Sequence, residues 1–170
     1  MNDSPNLARA GFRYSARLVC NETDRVLSES IHLNKVPVEG LNLMAAALFT
    51  GGAVPPALYI GLHSGIHSPD GTETAANLNM LVSEITSYTS PSRVAFQPGA
   101  VAAGAVGNEA AVAVFEFPSP AVVNGAFIST SAAKGSTTGA LLSFVRFQPA
   151  RNVDASVRLE IVAGFQFLSI

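Results

Sequence analysis

The sequence predicts a mainly β protein, an antiparallel β-sandwich with an N-terminal hairpin and one or two short helices. In the second half, short segments rich in Val, Phe, Ile and Leu alternate with clusters of Gly, Pro, Ser, Thr or Asn. Their spacing is typical of sandwiches and barrels. Near the N-terminus, apolar and polar residues alternate as in a half-buried strand. A chain of 170 residues can bury roughly 70% of its unfolded surface in one core.

The chain is predicted to begin with a polar arm, residues 1–10, followed by a single sandwich domain over residues 11–170. Strict alternation over residues 12–20, then turn formers and a weaker alternation, predicts a β-hairpin over residues 12–36. Helical spacing then predicts a first helix over residues 37–49. The apolar residues with this spacing are Val38, Leu41, Met44, Ala45 and Leu48.

The remaining elements follow from the same two periodicities. Residues 57–62 are apolar on both faces, which predicts a central strand covered on both sides. Residues 63–74 have the composition of a loop, and helical spacing within residues 75–85 predicts a second helix. Further strands are predicted near residues 92–97, 111–117, 122–129, 140–147 and 155–168.

The composition argues against several classes of function. Charged residues make up 13% of the chain, the net charge is −2, and the ten basic residues are scattered, so we expect no nucleic-acid partner. No apolar run approaches the roughly 20 residues of a membrane-spanning helix, so we expect no membrane association. The polar N-terminus lacks the apolar stretch of a secretory signal, which favours a protein made in the cytoplasm. The single cysteine, Cys20, excludes an internal disulfide.

No residue pattern predicts a reaction, so we expect no catalytic residue, no cofactor and no enzymatic activity. Cys20 falls on the apolar face of the first strand and is predicted to be a small buried residue. Glu116 lies between two Phe residues and is predicted to point outward from a strand. Glu84, Glu109 or Glu116 would suggest an enzyme only if one of them met a His in a deep pocket.

Two loop features leave alternatives open. His63 and His67 lie four residues apart, but Gly and Pro around them favour an ordinary loop, so we expect no metal. The alternative is a metal shared between identical subunits, with each chain supplying part of the coordination. The segments 99–107 and 131–139 are rich in small residues, which suits either mobile loops or close packing between subunits.

The chain from Ala57 to Ile170 resembles a group of small virion proteins of tailed bacteriophages, of the decoration, cement or short fibre-like type. The resemblance rests on the pattern of strands and turns more than on a diagnostic motif. Its features are the L-Y-I-G-L strand at 58–62, the segment Tyr88–Phe96, Asn108, V-F-E-F-P at 114–118, N-G-A-F-I at 124–128, the A-A-K-G-S-T-T-G turn at 132–139, Leu141–Leu142 and the final strand.

The resemblance implies a β-sandwich, with a jelly roll as one variant, that assembles on a virion. The expected function is binding and stabilising the outside of a phage capsid, at the capsid surface more than at the tail. Expected partners are the major capsid protein or other virion proteins, together with further copies of the chain. The polar arm and hairpin lie outside the resembling region; a separate hypothesis is that the arm reaches a neighbouring subunit, with an interface at Arg9, Phe12, Arg13 and Tyr14. The alternatives are a protein of the tail, baseplate or fibre and, in another class, a carbohydrate-binding module.

Overall fold

A computed structural model describes the backbone of residues 9–168 and the side chains of residues 11–167. The predicted arm is too long by two residues, because the first strand already begins at Arg9. The rest of the arm, residues 1–8, lies outside the described residues. The strands and helices are β1 (Arg9–Cys20), β2 (Val26–Leu33), α1 (Val38–Phe49), β3 (Leu58–His63), α2 (Leu78–Leu81), β4 (Glu84–Ile85), β5 (Val94–Phe96), β6 (Ala105–Gly107), β7 (Ala113–Glu116), β8 (Ala121–Ser129), β9 (Leu141–Val153) and β10 (Val157–Leu168).

The strands form two antiparallel sheets, which confirms the predicted β-sandwich. Sheet A has the order β2-β1-β10-β6, with β7 also paired to β10. Sheet B has the order β4-β3-β8-β9, with β5 also paired to β3. The predicted hairpin is β1 with β2, and the predicted central strand is β3, which has neighbours on both sides. The first and last strands, β1 and β10, pair along their whole length from Arg9↔Leu168 to Cys20↔Val157.

The core lies between the two sheets and joins residues from both. On β1 the alternation places Phe12, Tyr14 and Ala16 inside, as expected for a strand with one buried face. Beyond Ala16 the alternation of burial weakens: Leu18 is partly buried against the core, and the pairing with β2 shifts register between Leu18 and Val19. Val19 is buried there, whereas Cys20 is only half-buried. The prediction that Cys20 is a buried residue is therefore wrong.

The predicted second helix is much shorter than residues 75–85. Only Leu78–Leu81 are helical, and Glu84–Ile85 form β4, which pairs with the end of β3. Leu78, Val82 and Ile85 are nevertheless buried. The apolar pattern is therefore a real burial signal, but Ile85 gains strand pairing with Leu62 that a longer helix would forbid.

Within the described part of the chain, neither helix has the length and apolar character needed to cross a membrane.

Candidate functional site

The outward side of α1 is apolar, although it faces solvent. Six residues of α1 are exposed at helical spacing, namely Val38, Leu41, Asn42, Ala45, Leu48 and Phe49, and Asn42 is the one polar member. Leu48 is 66% exposed and Phe49 is 83% exposed. Surface helices normally turn polar residues to water. We call Val38, Leu41, Ala45, Leu48 and Phe49 the α1 stripe, and it is the best candidate in the described chain for a docking surface.

The inward side of α1 is fixed to sheet B, so the α1 stripe sits on a rigid base. Gly40 lies so close to the backbone of Leu141 and Leu142 that an added Cβ would approach Leu142 O within 2.8 Å. Glu39 accepts hydrogen bonds at Oε2 from the backbone N–H groups of Ala75, at 2.8 Å, and Leu141, at 2.6 Å. The one carboxylate of α1 therefore binds inside the protein and leaves the stripe uncharged.

Sequence spacing identified α1 but not which of its sides is buried. Of the residues that predicted the helix, Met44 packs against the core, whereas Val38, Leu41, Ala45 and Leu48 face outward. The available signal was that α1 carries apolar residues on all sides, since a helix with this composition needs a second contact surface.

A second exposed feature is the free edge of sheet A. β2 is the terminal strand, with β1 as its partner on one side and no strand of the described chain on the other. Glu29, Ile31 and Leu33 lie on its outer face, directly opposite Arg17, Ser15 and Arg13 of β1. Ile31 is 53% exposed and Leu33 is 80% exposed.

The four residues predicted to form an interface do not share one surface. Phe12 and Tyr14 are 5% and 0% exposed and belong to the core, so their side chains are not available to a partner. Tyr14 donates a 2.7 Å hydrogen bond to Ser143 Oγ of β9, which joins the two sheets. Arg13 is exposed on the outer face, and the side chain of Arg9 lies outside the described residues. The alternation that predicts β1 also predicts that Phe12 and Tyr14 point inward.

A cleft of about 880 Å³ lies beside Arg13, at the end of sheet A where β1 begins and β6 pairs with β10. Its lining includes Gly11 and Gly164 on the two central strands, Leu33 on β2, and Glu109 in the segment after β6. No histidine lines this cleft in the described chain. Glu109 therefore has no imidazole partner there for acid–base chemistry.

The other two candidate carboxylates lie elsewhere. Glu116 is exposed, while Phe115 and Phe117 beside it are buried, which confirms the predicted orientation. The side chain of Glu84 is buried and forms a two-point ion pair with Arg93, with N···O distances of 2.9 and 2.7 Å. In the described chain, the three carboxylates do not converge with a histidine in one pocket.

Arg93 and Glu84 also hold the small-residue segment 131–139. Arg93 donates to the carbonyl oxygens of Ser131 and Ser136, both at 3.1 Å, and Glu84 Oε2 accepts from the N–H of Gly135 at 2.8 Å. The side chains of Arg93 and Glu84 are 1% and 2% exposed. This segment is therefore anchored to the domain by a buried ion pair, and not a freely mobile loop.

His63 and His67 lie close to each other, but they have different surroundings. His63 is the last residue of β3 and is fully buried, with Nε2 3.0 Å from Val145 O and its ring stacked on Phe144 at 4.8 Å. Burial lowers the pKa of His63 to about 4. The expectation that His63 belongs to an ordinary loop is wrong, because His63 is still part of β3.

His67 lies in a group with Asp70 and Glu73, and one ligand atom from each lies within 4.8 Å of the other two. These are the residues that could hold a metal ion. Glu73 is fully buried; its Oε1 accepts from the N–H of Asp70 and lies 3.0 Å from His67 Nε2, and its Oε2 accepts from the N–H of Gly71. The same contacts give the group a structural role, because they join residues within the loop after β3 and hold that loop closed.

No protein-family model matches this chain, and no curated protein matches it.

Proposed function

We propose that this chain is a non-enzymatic structural protein that binds the outside of a tailed-bacteriophage capsid and stabilises it. The observation that carries the proposal is the α1 stripe, which is apolar, uncharged and exposed. A contiguous apolar surface on a rigid element is typical of a protein interaction site. Residues 57–170 resemble virion proteins, and this resemblance is the reason for proposing a phage capsid as the surface to which the stripe binds.

The size of the effect follows from the side chains of the stripe. Burying one large apolar side chain contributes about 1.5 to 3 kcal/mol. Leu48 and Phe49 are the most exposed members, so their burial against a capsid subunit would supply about 3 to 6 kcal/mol. A loss of about 3 kcal/mol corresponds to more than 100-fold in affinity. These two residues are therefore the ones to change first.

The alternatives differ from this proposal in ways that can be measured. A tail, baseplate or fibre protein would use the same kind of surface at about a dozen copies per particle or fewer, whereas a capsid decoration protein would be present in hundreds of copies. A carbohydrate-binding module would need exposed Trp or Tyr rings as platforms for the sugar. The chain has no Trp, and Tyr14 and Tyr88, two of its three Tyr residues, are buried, which disfavours sugar binding.

The test uses capsids of the phage whose genome encodes the chain, prepared without this protein, mixed with purified chain and pelleted. We expect wild-type chain to pellet with the capsids in hundreds of copies, and Leu48→Glu/Phe49→Glu to bind at least 100-fold more weakly. Met80→Glu is the matched control, because Met80 is 81% exposed on α2 and lies outside the stripe. Circular dichroism checks that each variant is folded. The proposal is contradicted if the double variant binds capsids as tightly as wild type, or if the wild-type chain does not pellet with capsids.

A further inference from the structure

We infer that two copies of this chain pair through β2, joining their A sheets into one continuous antiparallel sheet across a two-fold axis at Ile31. This contact uses a surface different from the α1 stripe, so it stands whether or not the chain binds a capsid. The reasoning rests on which sheet edges are protected, on the side chains of β2, and on the registers that a two-fold axis allows.

Among the described strands, β2 is a long sheet edge that pairs with a neighbouring strand on one side only, while its inner row of side chains contacts β9. The strands β4, β5, β6 and β7 that end the sheets elsewhere have two to four residues each. The other long edge strand, β9, is bridged at Phe144 by Lys35 and is contacted by α1. β2 has eight residues. Natural proteins shorten or cover such edges because unpaired backbone groups recruit another strand.

The side chains of β2 do not protect this edge. Edge strands that avoid pairing usually carry Lys, Pro, inward-pointing charges or β-bulges, and the one register shift of β2 lies at its Val26–Ser28 end, before Glu29. β2 has the sequence VLSESIHL, with no Lys, Arg or Pro, and Glu29 is its one acidic residue. Glu29 points to the outer face, where it accepts a 2.8 Å hydrogen bond from Ser15 Oγ. The exposed outer row is otherwise aliphatic.

The two-fold axis limits the register. In an antiparallel pair, opposite residues must point to the same face, because side chains alternate along each strand. The axis must therefore pass beside a single residue that meets its own copy. An axis at Glu29 would place two carboxylates directly opposite each other, which is destabilising. An axis at Ser30 would leave the two Glu29 side chains as diagonal neighbours, about 7 to 8 Å apart.

An axis at Ile31 avoids both problems. Ile31 then lies opposite Ile31 of the second copy, and each Glu29 lies opposite Leu33. The two Glu29 side chains are four residues apart along the strands, about 13 Å at 3.3 Å per residue. The two Ile31 and two Leu33 side chains become direct or diagonal neighbours in one aliphatic patch. A second copy in this register therefore continues the aliphatic row and keeps the two Glu29 carboxylates apart.

The first test is sedimentation velocity of the full chain from 1 to 200 μM. We expect a concentration-dependent dimer, and at least tenfold weaker dimerisation in Ile31→Lys, which places two ammonium groups on the axis. Val122→Lys is the matched control, since Val122 is 48% exposed and Ile31 is 53% exposed. A chain that is monomeric throughout this range overturns the inference, and so does a dimer that Ile31→Lys leaves unchanged.

The second test fixes the register in a Cys20→Ser background, which removes the native thiol. Residues directly opposite in an antiparallel pair have Cα atoms about 4.5 to 5.5 Å apart, within the range that a disulfide can bridge. Mild oxidation should cross-link Ile31→Cys into a dimer on a non-reducing gel, whereas Leu33→Cys should stay mostly uncross-linked. Preferential cross-linking of Leu33→Cys or Ser30→Cys would overturn the Ile31 axis.

Discussion

Acidification should destabilise this protein because a histidine is buried in its neutral form. His63 is fully buried, and burial lowers its pKa from 6.5 to about 4. Between these two values the unfolded chain binds a proton that the folded chain does not, so stability is present above pH 6.5 and is lost as the pH falls toward 4. A difference of about 2.5 pKa units, at 1.36 kcal/mol each, gives a maximum of roughly 3 kcal/mol. About 2 kcal/mol of this should be lost between pH 7 and pH 4.5.

The assay is urea unfolding at pH 7.0, 6.0, 5.0 and 4.5, followed by far-ultraviolet circular dichroism because the chain has no Trp. His63→Gln removes the titrating group, and each variant is compared only with itself across pH. We expect His63→Gln to lose about 2 kcal/mol less than wild type between pH 7 and pH 4.5. His32→Gln is the comparison variant: burial also lowers the pKa of the half-buried His32, so His32→Gln should reduce acid sensitivity in the same direction but by less than His63→Gln. Equal acid sensitivity of wild type and His63→Gln would refute the reasoning.

Two further predictions concern buried groups and are read from the same urea experiment at pH 7. Glu84→Gln leaves the guanidinium of Arg93 buried without its carboxylate, which should cost about 3 to 5 kcal/mol. The exposed Glu29→Gln should change stability by less than about 0.5 kcal/mol, and equal costs would show that the ion pair is unimportant. Gly125→Ala should cost about 3 kcal/mol, since a Cβ there would overlap Val145 O and the His63 ring. Gly135→Ala has open space at φ +71° and should cost only about 1 kcal/mol of backbone strain, so the reverse order would contradict the packing argument.

The fold could be predicted from the sequence where apolar periodicity and strand pairing agree. The alternation from Phe12 to Ala16 predicts the inward face of β1, and the long pairing of β1 with β10 reinforces it. Prediction failed where partners distant in sequence decide the structure. Ile85 joins a strand because Leu62 lies beside it, and Val19, not Cys20, is buried at the end of β1, where the pairing with β2 shifts register.

The candidate site could be predicted only in part, because spacing identifies a helix but not the surface against which it packs. The outward position of Leu48 follows from contacts of Gly40 and Glu39 with the start of β9, about 100 residues later in the chain. Burial of His63 likewise depends on Phe144 and Val145 of β9. Neither the packing of α1 on β9 nor the burial of His63 against β9 produces a recognisable pattern in the sequence around those residues.

The placement of charge explains why contacts of this protein would be made mainly by apolar area. The carboxylates of Glu39, Glu73 and Glu84 accept hydrogen bonds from backbone N–H groups inside the domain. Paired in this way, each holds a loop or helix to the sheets, and none is free to recognise a partner. The α1 stripe has no charge of its own, and β2 carries a single carboxylate at its exposed edge. Binding at either surface would therefore depend on shape and buried apolar area, with little dependence on salt.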